Sequence, residues 1–400
     1  MYTITQVPEW NMCLNVLLDP TVSELQINGP DEIFFKKDGQ RIKFPNASFA
    51  SESRYIESLD EGLIPFIRST IPFEKNSYLY EGPLYYKAGD LEVKGRCHIV
   101  LPPASDSPQI TIAKKSPNLL GLEDIALKGS MSSEMFNFLS AAVQANVTIV
   151  LSGSTGSGKT TTLEALTKLI RKDQRIGVAE DTPELVLSQP NVTYLHSVPW
   201  RPGMDPNKVA TLSWVVSQFQ RMRLDKIIVG ETRGKEFADF LVAANSGMEG
   251  SLTTIHADDP VACLRKMTLF ASEGSPNIPI RSINTSIANA IDLIVQLTIL
   301  PNGKHRVSHI QEITPTIGND ESASITTNPL YKYDPTRDGF EKVSSMTDNL
   351  RKKFLRKNID ILRITNSSVK TISPGHGSLQ TEPSVIPPRG LPLSNETRNL

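Results

Sequence analysis

The chain has 400 residues, of which 39% are hydrophobic and 21% are charged, and these proportions exclude a fully disordered protein, a collagen and a coiled-coil rod. A globular chain of this length is expected to form about two to three domains. The 42 Lys and Arg residues and the 43 Asp and Glu residues leave a net charge of −1, which excludes an overall basic field for nucleic acid or an anionic membrane.

The first segment, residues 1–103, has the pattern of a small α+β domain. Residues 22–27 alternate polar and apolar side chains, as a half-buried strand does, and residues 32–44 predict a hairpin around an Asp-Gly turn. Residues 55–67 carry apolar side chains at helical spacing, and residues 91–101 predict another strand that stops at a Pro-Pro pair.

Residues 104–125 are rich in Ser, Asp, Pro and Lys and predict a linker that contains one short strand, residues 109–113. From residue 126 to residue 317, short apolar strands alternate with helices. The predicted strands are 147–151, 175–179, 192–195, 226–229 and 251–255, followed by a hairpin over residues 292–313. This alternation predicts an α/β domain with a mostly parallel sheet that helices cover on both faces.

The pattern weakens after residue 314. Residues 318–365 are predicted to form a C-terminal extension with a basic helix at 350–362, for which a solvated helix face is the preferred interpretation. Residues 366–400 are rich in Pro, Ser and Gly and predict a disordered tail.

One motif carries strong chemical information because it follows a buried strand and opens a helix. It matches G-x-x-x-x-G-K-S/T with the residues Gly153, Ser154, Thr155, Gly156, Ser157, Gly158, Lys159 and Thr160, and Thr161 follows in the helix. The glycines allow consecutive backbone N–H groups to turn toward phosphates, and the helix N-terminus adds a favourable dipole. Lys159 supplies a point charge for the terminal phosphates, and the Thr160 hydroxyl is placed to bind Mg²⁺.

Hydrolysis also needs a carboxylate near the metal ion and the attacking water. Glu180, Asp181 and Glu184 follow one predicted parallel strand, and Glu231 follows another. Because the carboxyl ends of parallel strands share one edge with the phosphate loop, a catalytic role is preferred over solvated loop carboxylates. His256 ends a strand at the same edge, and its spacing alone fits a catalytic and a structural role equally.

The cysteines and the apolar segments limit the remaining classes. Cys13, Cys97 and Cys263 are isolated, which argues against a disulfide framework and a cysteine-rich zinc site. Residues 1–20 lack the pattern of a signal peptide, and the apolar stretch 287–300 is too short and too polar to span a bilayer. A cytoplasmic location is therefore expected, with any membrane contact made through partner proteins.

Four motifs in order make the chain similar to a known family. They are Gly153–Thr160, Glu180–Glu184, Val229–Gly234 and Gly250–Ala257. Over roughly residues 22–313 the chain resembles the traffic ATPases of bacterial secretion, the superfamily of type II secretion, type IV pili and type IV secretion. The similarity is strongest to the conjugation and type IV secretion branch and to the related tight-adherence pilus ATPases.

This resemblance implies a homohexameric ring with ATP and Mg²⁺ as cofactors. Each subunit would have an N-terminal domain, a linker and a RecA-like C-terminal domain, with ATP held between the two domains. The resemblance also raises His256 to a functional residue and implies roles for three arginines, Arg96, Arg221 and Arg233. The expected catalytic residues are Glu231, Glu184, Lys159, His256 and Arg221, with Arg96 at the nucleotide and Thr160, Glu231, Asp181 and Glu180 at the metal ion. Two positions depart from the family: Met248 stands where a second His is frequent, and Ala113 stands where an Arg is frequent.

The leading functional hypothesis is ATP hydrolysis that powers type IV secretion or conjugative transfer at the inner membrane. The expected partners are channel or pilus platform proteins and a coupling protein, without stable direct DNA binding. A pilus motor of the same superfamily, a RecA-like motor on nucleic acid and a nucleotide-gated scaffold with little turnover are the alternatives. Either Glu184 or Glu231 fits the role of the catalytic base.

Overall fold

The computed structural model describes residues 7–37, 39–45, 47–65, 79–88, 91–115, 120–198, 209–315 and 325–366. Among these residues, six strands form the antiparallel first sheet. In chain order they are β1 (Val22–Ile27), β2 (Ile33–Lys37), β3 (Gln40–Lys43), β4 (Leu79–Ala88), β5 (Leu91–Val100) and β6 (Gln109–Lys115). They lie side by side in the order β3-β2-β1-β6-β5-β4. The predicted hairpin is confirmed, because β2 pairs with β3 across the turn and Gly39 has a positive φ of 81°.

Two helices, α1 (Pro8–Asn15) and α2 (Glu52–Ser58), pack against this sheet and close its core. The helix α2 begins where the Ser51 side chain accepts a hydrogen bond from the Arg54 N–H, and a π-helical turn at Leu59–Leu63 follows it. The Trp10 indole N–H donates to the Ser58 carbonyl at 3.0 Å, so the two helices are joined by a buried hydrogen bond as well as by apolar contact.

The strand predicted inside the linker belongs to the first sheet, which corrects the linker prediction at residues 109–115. β6 pairs with β1 on one side and with β5 on the other, so it is an inner strand of the sheet. Ile110 and Ile112 are buried and alternate with more exposed neighbours, and this alternation requires an apolar face on which to pack. The domain boundary at residue 126 stays a prediction.

Nine of the described strands form the second sheet. The added strands are β7 (Ile149–Gly153), β8 (Ile176–Glu180), β9 (Val192–His196), β10 (Lys226–Val229), β11 (Leu252–Ile255), β12 (Leu293–Ile299), β13 (His305–Pro315), β14 (Ile325–Asp334) and β15 (Gly339–Lys342). Their order is β15-β14-β13-β12-β7-β11-β10-β8-β9. The six strands from β12 to β9 are parallel, whereas β13, β14 and β15 continue the sheet antiparallel.

Helices cover both faces of the second sheet, as the sequence predicts. They are α3 (Leu122–Leu127), α4 (Ser133–Gln144), α5 (Lys159–Thr167), α6 (Leu212–Phe219), α7 (Glu236–Asn245), α8 (Pro260–Gly274) and α9 (Ile280–Ala290). Ile149 and Leu151 of β7 pack into one core with α4 and α5, whereas Val150 packs into the other with α6 to α9. Successive side chains of this strand are therefore buried on opposite faces, which explains its continuous apolar run.

The C-terminal extension is part of the second sheet and its core, which corrects its prediction as a separate segment. After β14 and β15, the predicted basic helix is divided into α10 (Asp348–Arg356) and α11 (Ile361–Asn366). Leu350 and Phe354 of α10 are buried against the core that contains Tyr331, because the apolar face of a short helix must pack on other apolar surface. The predicted disordered tail beyond residue 366 lies outside the described residues. No described helix is long and apolar enough to cross a bilayer.

Candidate nucleotide-binding site

The phosphate loop joins the carboxyl end of β7 to the start of α5, as the motif predicts. Gly156 and Gly158 have φ values of 77° and 94°, a left-handed conformation that other residues rarely adopt. A Cβ on Gly153 would lie 2.6 Å from the Leu297 carbonyl oxygen, so this position also requires glycine, because the loop starts close against β12. The loop therefore has the turn and the close backbone approach that a phosphate cradle needs.

Lys159 lies at the centre of this loop and is buried, with 6% of its surface exposed. Its ammonium donates to the carbonyl oxygens of Gly153 at 2.8 Å and Ser154 at 2.9 Å. Burial lowers the pKa of Lys159, and the nearby Glu231 carboxylate opposes that shift. The loop carbonyls thus hold the ammonium where the oxygens of a bound phosphate would replace them as partners.

Glu231, His256 and Arg233 form a charged network beside Lys159. One Glu231 oxygen lies 2.8 Å from His256 Nε2, and the other accepts from the Arg233 guanidinium at 2.6 Å. The Lys159 ammonium lies 3.3 Å from His256 Nδ1. Because an ammonium can only donate, Nδ1 accepts and the ring proton on Nε2 donates to Glu231, which assigns the neutral tautomer to His256.

The pKa values of the network follow from these contacts. Burial would raise the pKa of Glu231, but the hydrogen bond and charge of Arg233, with His256 and Lys159, bring it below its usual value. Burial lowers the pKa of His256, and the Glu231 charge opposes this. Glu231 is therefore a carboxylate and His256 is neutral at pH 7, and the structure brings both together with Lys159 as the sequence predicts.

The three predicted carboxylates at the end of β8 and in the loop after it have different environments. Glu180 is buried, and one of its oxygens accepts from the backbone N–H groups of Glu184 at 3.0 Å and Leu185 at 2.8 Å, so it shapes the loop after β8. Asp181 accepts from the Ser197 hydroxyl at 2.7 Å. Glu184 is partly exposed and faces the first sheet.

Arg96 on β5 reaches from the first sheet to the second. Its guanidinium lies 3.6 Å from the Glu184 carboxylate, so two residues predicted at the site form an ion pair across the two sheets. Ala113 of β6 is the direct cross-strand partner of Arg96. The following Lys114 donates to the Asp19 carbonyl at 2.6 Å and therefore stabilises the first sheet instead of supplying the charge that Ala113 lacks.

Arg221 and Met248 lie away from the phosphate loop. Arg221 lies between α6 and the amino end of β10, whereas the phosphate loop follows the carboxyl end of β7. The strands β10 and β7 run in the same direction in the sheet. Arg221 is thus at the opposite ends of the strands from the phosphate loop of the same chain, and its catalytic role stays a prediction. Met248 precedes the amino end of β11 and is buried in the core, so this departure from the family does not alter the surroundings of Lys159.

The donor set at the loop suits Mg²⁺, which prefers oxygen ligands and keeps several waters when it is bound with a nucleotide. Thr160 is the second residue of α5, next to Lys159, and Glu231 is charged at the same edge. In the described ranges, no group of three or more His, Cys, Asp or Glu residues can hold a metal ion by itself. The residues therefore fit a cation held by phosphate oxygens, water and one or two protein oxygens. Ligation by Asp181 and Glu180 stays a prediction.

His305 is a further residue at the site that no motif predicts; its ring Nδ1 lies 3.0 Å from the Ser157 carbonyl oxygen in the phosphate loop. His305 begins β13, directly after the turn from β12, and β12 is the neighbour of β7. The predicted hairpin contained this information, because the turn after a parallel neighbour of β7 must come out at the phosphate edge.

Comparison with known proteins is consistent with this site. The family model described as type II/IV secretion system protein matches residues 11–372. The chain is 30% identical over 333 residues to the type IV secretion system protein VirB11 of Bartonella henselae, and the match covers 74% of this chain and 89% of that protein. It is 27% identical over 299 residues to the conjugal transfer protein TrbB of Rhizobium radiobacter, with coverages of 73% and 85%.

Solved structures share the fold. The ATPase DotB of Legionella pneumophila matches with a TM-score of 0.55 at 17% identity, over 91% of this chain and 86% of that one. The pilus retraction motor PilT with bound ADP matches with a TM-score of 0.51 at 13% identity, over 86% and 85% of the two chains. The predicted fold class, a RecA-like α/β domain after a smaller α+β domain, is confirmed. With its four ordered motifs and a family match over most of its length, this chain belongs to the type II/IV secretion system proteins, in the conjugation and type IV secretion branch.

Proposed function

We propose that this secretion-system ATPase is a Mg²⁺-dependent homohexamer that hydrolyses ATP to power type IV secretion or conjugative transfer. The observation that carries the proposal is the convergence of Lys159, His256 and Glu231 on one phosphate loop, with Glu231 charged. The matches to VirB11 and TrbB, over 74% and 73% of this chain, support the choice of machine, because those proteins are named for type IV secretion and conjugal transfer.

The residues of the chain divide the catalytic work. The backbone N–H groups of the phosphate loop bind the β- and γ-phosphates, and Lys159 exchanges its loop carbonyls for phosphate oxygens. Thr160, and Glu231 through water, would hold Mg²⁺, which would neutralise phosphate charge. A carboxylate, Glu231 or Glu184, orients the attacking water and accepts its proton, while His256 is placed to hydrogen-bond the γ-phosphate or that water.

Coupling to transport uses the contact between the two sheets. Arg96 is at the nucleotide in the proposed ring, and its ion pair with Glu184 joins the first sheet to the loop that follows β8. Release of phosphate changes the partners of these charges, so that one domain rotates against the other. In our proposal the ring works in the cytoplasm at the inner membrane, on channel or pilus platform proteins and a coupling protein that carry this motion to the cargo.

The test is ATP turnover by the purified full chain. Lys159→Ala should lower turnover at least about 100-fold, because an ammonium that stabilises transferring phosphate is lost. The matched control is Lys172→Ala, an exposed lysine beyond the end of the same helix. Circular dichroism should show the same helix content in both variants. Unchanged turnover in Lys159→Ala would contradict the site assignment, and tight ATP binding with negligible turnover in the unaltered chain would favour the scaffold alternative.

Assembly is tested separately by light scattering with Mg-ATP. A mass of six chains is expected, and a monomer at micromolar concentration would contradict the ring.

A further inference from the structure

The hairpin turn between β12 and β13 lies against the phosphate loop. His305, at the start of β13, places its ring Nδ1 3.0 Å from the Ser157 carbonyl oxygen. Two further approaches show how close the hairpin is: a Cβ on Gly158 would lie 3.4 Å from the same ring nitrogen, and one on Gly156 would lie 3.8 Å from the Ile299 side chain. The hairpin therefore hydrogen-bonds the loop at Ser157 and lies close to the glycines on either side of it.

This hydrogen bond has one direction. A carbonyl oxygen only accepts, so His305 Nδ1 carries the proton and donates it to Ser157. Because the peptide group is planar and trans, the N–H of Gly158 points away from the Ser157 carbonyl of the same peptide. When His305 draws that carbonyl toward the hairpin, it turns the Gly158 N–H to the other side, where the loop receives phosphate.

Arg306 connects His305 to the turn between the C-terminal strands β14 and β15. The Arg306 guanidinium donates to the His305 carbonyl at 3.0 Å and pairs with Asp338 at 3.1 Å. Asp338 lies in the turn between β14 and β15 and also accepts from the Tyr333 hydroxyl at 2.6 Å. The Arg306 side chain is buried, whereas Asp338 is mostly exposed. The surface turn between β14 and β15 therefore holds the buried Arg306 guanidinium next to His305.

We propose that His305 is a positioning residue for the phosphate loop and that the extension holds it in place through Asp338 and Arg306. His305 touches backbone, and its effect on catalysis passes through the orientation of the Gly158 N–H. The inference rests on the proposed nucleotide function of the loop and adds to it a role for the strands that follow β13.

The first test compares His305→Ala with His305→Asn by the affinity for a fluorescent ADP analogue and by the KM and kcat for ATP. The loss of one net hydrogen bond in His305→Ala should weaken ADP binding and raise KM about fivefold, with a smaller change in kcat. Asn carries an amide N–H near the place of Nδ1, so His305→Asn should restore affinity to within about twofold of the unaltered chain. The matched control is His309→Ala, on the same strand, whose ring contacts the Ser308 hydroxyl.

The second test is Asp338→Asn, which removes the charge that Arg306 pairs with. It should weaken ADP binding in the same direction as His305→Ala but by less, about twofold. Equal ADP affinity in His305→Ala and the unaltered chain, with only a lowered melting temperature, would overturn the role of His305. If His305→Ala weakens ADP binding but Asp338→Asn leaves it unchanged, the role of the extension would be overturned. Lys159→Ala separates the two proposals, because normal ADP binding in that variant contradicts the nucleotide site itself.

Discussion

The parallel strands of the second sheet carry charged side chains at both of their ends. We call the carboxyl ends, where the phosphate loop lies, the phosphate edge, and the opposite ends the amino edge. At the phosphate edge, Glu231 shares its two oxygens between Arg233 and His256, and the side chains of these three residues are 24%, 63% and 37% exposed. At the amino edge, Asp292 accepts from Lys353 and from the Thr148 N–H, both at 2.8 Å, and the two charged side chains are only 13% and 19% exposed.

The pKa values of Glu231 and Asp292 are shifted in opposite directions. The pKa of Glu231 is lowered, because its cationic partners outweigh its burial, whereas burial raises the pKa of Asp292 in spite of Lys353. A carboxylate with several partly exposed partners stays charged and can exchange one of them for a ligand. The Asp292 carboxylate is in a mostly buried ion pair and cannot exchange its partner in this way. The amino edge therefore stabilises the fold, whereas the phosphate edge is available for chemistry.

The largest expected difference between the edges is in turnover. Glu231→Gln should lower kcat about 100-fold, because it removes the charge that faces Lys159, His256 and, in our proposal, Mg²⁺. Glu249→Gln makes the same substitution at an exposed position of the amino edge and should leave kcat unchanged. Steady-state ATPase assays measure both. Equal kcat in the two variants would show that the two edges do not differ in function.

The next effect is on stability and concerns the amino edge. Lys353→Met should lower the free energy of unfolding by about 2 to 3 kcal/mol, because it leaves the Asp292 carboxylate largely buried without its cation. Lys352→Met, on the exposed side of the same helix, is the control. Urea unfolding gives the difference, and the KM for ATP should be the same in both variants. A changed KM with unchanged stability would place Asp292 in the site instead.

The opposite pKa directions predict opposite responses to acid. The lowered pKa of Glu231 gives stability that is present above its unfolded value of 4.5 and is lost as the pH falls through the folded value. The raised pKa of Asp292 gives stability that is present below its unfolded value of 3.8 and is lost as the pH rises through the folded value.

Between pH 7 and pH 4, the unaltered chain should therefore lose stability relative to Glu231→Gln and gain stability relative to Asp292→Asn. Urea unfolding of the three proteins at several pH values measures the two slopes. Slopes of the same sign would contradict the difference between the edges.

The smallest expected stability effect is at the ion pair between the sheets. Arg96→Gln should change the free energy of unfolding by less than about 0.5 kcal/mol, because the pair is long and half-exposed. If Arg96 binds nucleotide as proposed, the same variant should raise the KM for ATP severalfold. Arg54→Gln, within the first sheet's helices, is a control that should leave KM alone. An unchanged KM in Arg96→Gln would limit the arginine to a structural contact.

Much of the second sheet was predictable, because its signals are local. The apolar run of β10 was predicted at the residues where it lies, and β7, β8, β9 and β11 differ by one or two residues at their ends. The strands β14 and β15 and the division of the basic helix were not predicted. Their side chains alternate weakly, and they are held by contacts with distant residues, such as Tyr331 with Phe138 at a ring distance of 5.5 Å.

In the candidate site, too, the features with local sequence signals were predictable. The phosphate loop, Glu231 and His256 were predictable, because a loop needs glycine where φ is positive and because strand ends share an edge. The position of Arg221 was not predictable, because the order of residues in a motif does not say at which end of a strand each one lies.

The sequence by itself therefore determined the phosphate loop, the parallel strands and the residue types at their carboxyl ends, because these depend on backbone conformation and on hydrophobic periodicity within short segments. Only the tertiary structure decided which groups meet: Lys159 with His256, Arg96 with Glu184, and His305 with Ser157. These residues are about 90 to 150 positions apart, and their contact follows from the order of strands in a sheet and from which charges lose water when the sheet packs.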